Sequence, residues 1–76
     1  MREMNRDRLV VMANQIADFF ADQRGDAAAQ VADHIAKNWD PRMRAGLSTH
    51  LAAGGEGLTP LARRAAEILA SETTGA

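Results

Sequence analysis

Two histidines, His34 and His50, are the side chains of this 76-residue chain best suited to acid–base chemistry or metal binding. Neither has a potential metal ligand three or four residues further along, the spacing that puts two ligands on one face of a helix. No nucleophile motif surrounds Ser48 or Ser71. We therefore predict no catalytic residue, and we interpret His50 as a core or interface histidine with hydrogen-bond partners.

The composition excludes several classes of protein. The chain has no cysteine, so it has no disulfide, no Cys-ligated zinc and no thiol nucleophile. Its 9 basic and 10 acidic residues lack the basic excess typical of a DNA-binding domain. No apolar run reaches the roughly 18 residues of a membrane span, and no secretory signal pattern begins the chain. We expect a cytoplasmic protein that binds no metal, cofactor, nucleic acid or membrane.

Three glycines around Glu56 form the sequence Gly54-Gly55-Glu56-Gly57, which could cradle a phosphate with its backbone N–H groups. No strand precedes this segment and no Gly-Lys-Ser/Thr sequence follows it, while Glu56 would place a negative charge beside the anion. We favour the end of a helix followed by a tight turn, because glycine readily takes the left-handed conformation found there. A protein partner could still recognise the loop.

The hinge segment, residues 39–44, combines Trp39 with Arg42 and Arg44 beside an Asp40-Pro41 pair. Tryptophan and arginine are enriched among the residues that anchor protein interfaces. Trp39 can either close the end of the core or project into a partner pocket. The two arginines lie about 200° apart around a helix, so a partner must wrap the helix end to contact both. We expect this segment to be a main anchor on a partner.

A second candidate surface lies on the first predicted helix. Val11 projects there among polar residues, on the side opposite the apolar stripe. Together with Asn14 and Gln15 it would supply a small apolar spot with hydrogen-bonding neighbours. This surface becomes the better candidate if the hinge segment is not the anchor.

The elements that must position these residues are all helices, because apolar residues recur at helical spacing and alternate nowhere. We predict one all-α domain over residues 1–76, a compact bundle of about four short helices with an ordered core over about 6–70 and frayed termini. The helices cover about 6–23, 27–38, 41–53 and 60–70. Asp26, Asp40-Pro41 and Thr59-Pro60 are the helix-start signals of the last three helices, and Asn5 can cap the first.

The predicted core is thin, since 16 of the 35 hydrophobic residues are alanine. Chains of this size rarely obtain more than about 3 to 5 kcal/mol from one core, so docking on a partner is a natural supplement. On the four helices in turn, the inward residues are Leu9, Met12, Ala13, Ile16, Phe19 and Phe20; Ala28, Val31, Ala32 and Ile35; Met43, Leu47 and Leu51; Leu61, Ala65, Ile68 and Leu69.

A series of short motifs covers about residues 9–69 and resembles the delta subunit of NAD-dependent formate dehydrogenase. The motifs are, in order, Leu9-Val10-Val11-Met12-Ala13-Asn14-Gln15-Ile16, Phe19-Phe20, Val31-Ala32-Asp33-His34-Ile35, Trp39-Asp40-Pro41-Arg42-Met43-Arg44, His50 and Gly54-Gly55-Glu56-Gly57-Leu58-Thr59-Pro60-Leu61. The Pro-Arg-Met-Arg and Gly-Gly-Glu-Gly-Leu-x-Pro-Leu segments are the most specific. The resemblance makes interface candidates of the polar positions within these motifs: Asn14, Gln15, Trp39, Arg42, Arg44, His50 and Glu56.

The resemblance implies a non-catalytic accessory subunit of a soluble complex that oxidises formate to CO2 and reduces NAD+. The implied complex holds molybdopterin-bound molybdenum or tungsten, iron–sulfur clusters, FMN and NAD. The implied partners are the large catalytic subunit, whose assembly or stability this chain would support, and the flavin and iron–sulfur subunits. The alternative is a free-standing helical binding module, such as a small nucleic-acid-binding regulator, which would show a steep loss of affinity with rising salt.

Overall fold

In a computed structural model, which describes residues 6–22 and 25–75, the chain forms four helices. They are α1 (Arg6–Phe20), α2 (Ala27–Asn38), α3 (Pro41–Ala52) and α4 (Pro60–Gly75). No strand occurs within those described ranges. The predicted all-α bundle is confirmed.

Each predicted helix-start signal acts as a cap. The side chain of Asp26 accepts a hydrogen bond from the backbone N–H of Ala29 at 3.2 Å, and that of Asp40 accepts one from Met43 at 2.9 Å. The Thr59 hydroxyl accepts from the N–H of Ala62 at 3.3 Å. These bonds satisfy N–H groups that have no partner inside their own helix, so they place the beginnings of α2, α3 and α4.

Two helix ends differ from the sequence-based bounds. Helix α1 ends at Phe20, before the expected 23, and α4 continues to Gly75, past the expected 70. The first difference places Asp22 in the turn that follows α1. The sequence also offers Asn5 as the cap of α1, and that residue lies outside the described ranges.

The core is shared by all four helices: α2 packs most extensively on α4, and α1 and α3 pack on α4 and on each other. All four inward residues predicted for α2 are buried. Of the 15 buried hydrophobic residues in the described part of the chain, seven are alanines, which agrees with the predicted thin core. Gly46 permits α3 to approach α1, because a Cβ at this position would lie 2.7 Å from the Cδ1 of Leu9.

The apolar stripe predicted for α1 was wrong at Phe19, which it placed in the core. Its side chain is 71% exposed, whereas Val10 and Ala17, which the stripe omitted, are buried. Successive helical residues are about 100° apart, so α1 cannot turn both Phe19 and Phe20 inward once Leu9 and Ala13 face the core. Phe19 instead rests edge-on against Phe20, with ring centroids 5.2 Å apart.

Helix α4 also turns smaller residues inward than the sequence pattern indicated. Ala62 and Ala66 are buried beside the predicted Ala65 and Leu69. Leu61 and Ile68 are only partly buried, although both pack against the core. Alanine side chains have little volume, so they let a neighbouring helix approach α4 more closely than leucines would.

Candidate functional site

The loop that joins α3 to α4, residues 53–59, contains the most specific motif of the chain and is held by side chains from three helices. Asn14 of α1 uses both ends of its amide there. Its Nδ2 donates to the carbonyl oxygen of Gly57 at 2.9 Å, and its Oδ1 accepts from the backbone N–H of Thr59 at 3.0 Å. Asn14 therefore fixes this loop against a helix more than 40 residues away in the chain.

His50 of α3 makes the second connection to the loop. Its Nε2 lies 2.7 Å from the carbonyl oxygen of Glu56, and because a carbonyl can only accept, this nitrogen carries the hydrogen. The ring is half-buried and lies one turn before the loop. The prediction that His50 has a hydrogen-bond partner is confirmed.

Arg63 of α4 makes the third connection, and sequence analysis missed it. Its Nη2 donates to the carbonyl oxygens of Gly54 at 3.0 Å and Gly55 at 3.3 Å. The sequence does contain a signal for this contact. A basic residue near the beginning of a helix is disfavoured by the positive end of the helix dipole, which suggests that it has a specific partner nearby. Gly55 has φ +64°, and a Cβ there would lie 3.0 Å from the Nη1 of Arg63.

Two of the four N–H groups in Gly54-Gly55-Glu56-Gly57 are already bonded to the end of α3, so the segment is not an open cradle for a phosphate. The N–H of Gly54 donates to Leu51 at 3.0 Å, that of Gly55 to His50 at 2.9 Å and that of Leu58 to Gly55 at 3.1 Å. These bonds are those of a helix end followed by a turn, which confirms the favoured interpretation of the glycines. Glu56 is exposed, so its carboxylate is a charged group of the loop that a partner can reach.

In the hinge segment, Trp39 takes the first of its two predicted roles. Its side chain is 6% exposed and belongs to the core, so the ring closes the end of this domain. Arg42 is exposed and Arg44 is half-buried. Arg44 lines a groove of about 350 Å³ between α3 and α4, together with Pro41, Ala45, Ser48, Thr49 and Leu69. Its Nε atom is buried and has no hydrogen-bond partner in the described part of the chain.

A second groove lies between α1 and α2. This α1–α2 groove has a volume of about 400 Å³ and is lined by Met12, Gln15, Ile16, Phe19, Phe20 and His34. Within this lining, the centroid of the His34 ring lies 5.8 Å from that of the Phe20 ring. Val11 is 52% exposed nearby on α1, as predicted, and Gln15 is exposed. Of the predicted trio on α1, Val11 and Gln15 thus remain available to a partner, while the amide of Asn14 is committed to the loop.

The described side chains offer no cluster suited to a metal ion. Within residues 6–22 and 25–75, no three His, Asp or Glu side chains come together as a potential metal site. The whole chain lacks the cysteines that usually hold an iron–sulfur cluster. Asp33, the acidic neighbour of His34, is instead paired with Lys37 at 3.1 Å on the surface of α2.

Among the described helices, none is both long and apolar enough to cross a membrane.

Comparison with known proteins identifies the family. The model of the NADH-dependent formate dehydrogenase delta subunit family, FdsD, matches residues 8–66. The match spans most of the chain, so the chain belongs to this family. No curated protein and no solved structure matched it.

Proposed function

As a member of the delta-subunit family, this chain is, we propose, a non-catalytic accessory subunit of a cytoplasmic NAD-dependent formate dehydrogenase. It binds the large molybdopterin-containing subunit and supports its assembly or stability. Formate oxidation, and electron transfer through iron–sulfur clusters and FMN to NAD+, then take place in the partner subunits.

The main observation in favour of docking is that this chain exposes large apolar side chains although its core is small. Phe19 and Val11 are 71% and 52% exposed, while seven of the 15 buried hydrophobic residues described are alanines. A domain that leaves one of its two phenylalanines in solvent gains free energy when a partner covers that ring. This arrangement suits a subunit whose stable state is the complex.

The polar side chains support the same proposal, because the best candidates for chemistry hold this chain's own loop. The Nε2 of His50 and the whole amide of Asn14 are hydrogen-bonded to residues 56–59. They act in the interface by shaping the loop, with the exposed carboxylate of Glu56 as its accessible group.

The hinge segment contributes through its arginines rather than through its tryptophan. Arg42 is exposed, and the accessible part of Arg44 faces the groove between α3 and α4. A carboxylate or carbonyl of the large subunit pairs with such a guanidinium more strongly once water is excluded. We propose these two arginines as a polar contact beside the apolar one on α1.

The proposal is tested by expressing the enzyme complex with and without this chain. We expect the chain to co-purify with the large subunit, and its omission to lower the yield, metal content or melting temperature of the complex. The isolated chain is expected to show no formate-dependent reduction of NAD+. Turnover of formate by the purified chain alone, or failure of the chain to associate with any subunit, would refute the proposal.

The arginine contact has its own measurement. Arg42→Ala and Arg44→Ala are compared with Arg64→Ala, an exposed arginine on α4, in binding to the complex. We expect a loss of about 2 kcal/mol, roughly thirtyfold in affinity, for at least one hinge arginine and almost none for Arg64. Binding of both hinge variants within about threefold of wild type would remove the hinge segment from the interface.

A further inference from the structure

The α1–α2 groove has the form of a docking site for an apolar helix. Its lining residues Met12 and Phe19 are seven positions apart on α1, which is about 10 Å, or two helical turns. That length accepts apolar side chains at positions i, i+3 or i+4, and i+7 of a second helix, the usual pattern of helix-in-groove recognition. The exposed ring of Phe19 lines the groove together with Phe20 and His34, whose rings are 5.8 Å apart.

Two acidic residues close to Phe19 in sequence, outside the groove lining itself, indicate the chemistry of the occupant. Asp18 and Asp22 are exposed on either side of Phe19 in sequence, and neither forms an ion pair within the described part of the chain. Lys37, on the facing helix, is already paired with Asp33 at 3.1 Å. Residues 18–40 carry five aspartates against Arg24 and Lys37, so this region has a formal charge of −3.

We propose that the α1–α2 groove binds an apolar, helical segment of the formate dehydrogenase partner that is flanked by lysine or arginine. This inference rests on the function proposed above and identifies the surface and the partner chemistry. Basic flanks pair with Asp18 and Asp22, while the apolar side chains cover Phe19 and the groove between the helices. The same carboxylates repel an anionic membrane surface, which disfavours a lipid as the occupant.

The affinity test uses the formate dehydrogenase complex prepared without this chain as the binding probe. Phe19→Ala is expected to weaken binding about tenfold or more, since a phenylalanine that becomes covered contributes substantially. Phe19→Leu keeps an apolar side chain and is expected to bind within about threefold of wild type. Both variants should fold, because the replaced ring is mostly in solvent.

The charge test compares Asp18→Lys with Glu67→Lys, a matched reversal at an exposed position of α4. Asp18→Lys is expected to weaken binding several-fold at low salt and less at high salt, because screening reduces the attraction it removes. Glu67→Lys is expected to change affinity by less than about twofold.

The occupant is then identified by a photo-crosslinking residue at Gln15, which is exposed and lines the groove, with the same residue at Glu67 as control. We expect the Gln15 crosslink to map to an apolar segment of a partner subunit with lysine or arginine at its ends. A crosslink to an acidic segment, to a second copy of this chain or to lipid of an anionic vesicle overturns the inference. Binding of Phe19→Ala and Asp18→Lys within threefold of wild type also overturns it while leaving the proposed function intact. Failure of the wild-type chain to bind the complex overturns both.

Discussion

Replacing Asn14 with alanine tests whether this residue holds the loop between α3 and α4. The change removes two hydrogen bonds, one from Nδ2 to the carbonyl oxygen of Gly57 at 2.9 Å and one from the N–H of Thr59 to Oδ1 at 3.0 Å. Each bond contributes about 1 kcal/mol net. The higher helix propensity of alanine offsets about 0.5 kcal/mol of the total loss. We expect the free energy of unfolding to fall by about 1 to 2.5 kcal/mol.

That loss is large for this chain. A single core in a chain of this size supplies only about 3 to 5 kcal/mol of stability. The expected change in melting temperature is a decrease of roughly 5 to 15 °C, since each kcal/mol shifts a small domain by about 4 to 8 °C.

The assay is urea unfolding followed by the fluorescence of Trp39, which is the only tryptophan and is buried in the core. Gln15→Ala is the matched control, because it removes the adjacent amide from the same helix at an exposed position. We expect the control to stay within about 0.5 kcal/mol of wild type. If Asn14→Ala loses no more stability than Gln15→Ala but weakens binding to the complex, Asn14 is an interface residue and the argument for the loop is wrong.

Three further predictions concern the same loop and the core. Gly55→Ala should lose about 2 kcal/mol in urea unfolding, because alanine is strained at φ +64° and its methyl group displaces the guanidinium of Arg63; an unchanged unfolding midpoint would contradict both effects. His50→Leu should lose about 1 kcal/mol of unfolding free energy, because it removes the hydrogen bond to the carbonyl of Glu56. If the variant is as stable as wild type, this bond does not stabilise the loop. Trp39→Ala should lose about 3 to 5 kcal/mol and leave the chain largely unfolded by circular dichroism, and a folded variant would show that this ring is not a core residue.

Val11 and Phe19 show which parts of the candidate surface could be predicted from the sequence. It selected Val11 as an exposed apolar residue from its position on the helix, and the structure places it so. It placed Phe19 in the core, because two adjacent phenylalanines satisfy a broad apolar stripe equally well. Only the packing of α1 against α2 and α4 distinguishes the buried ring from the exposed one. Sequence reasoning therefore missed Phe19 as a surface residue, because its apolar side chain predicts burial.

The sequence by itself determined the helices and their beginnings, because caps, proline positions and apolar spacing act over a few residues. Asp26, Asp40 and Thr59 each bond to an N–H three residues away. The tertiary structure decided what the polar motif residues do, since Asn14 meets the loop across 43 to 45 residues of chain. Such a bond depends on the relative placement of α1, α3 and α4, which no local pattern encodes. For the same reason Trp39 closes the core while Phe19 remains at the surface.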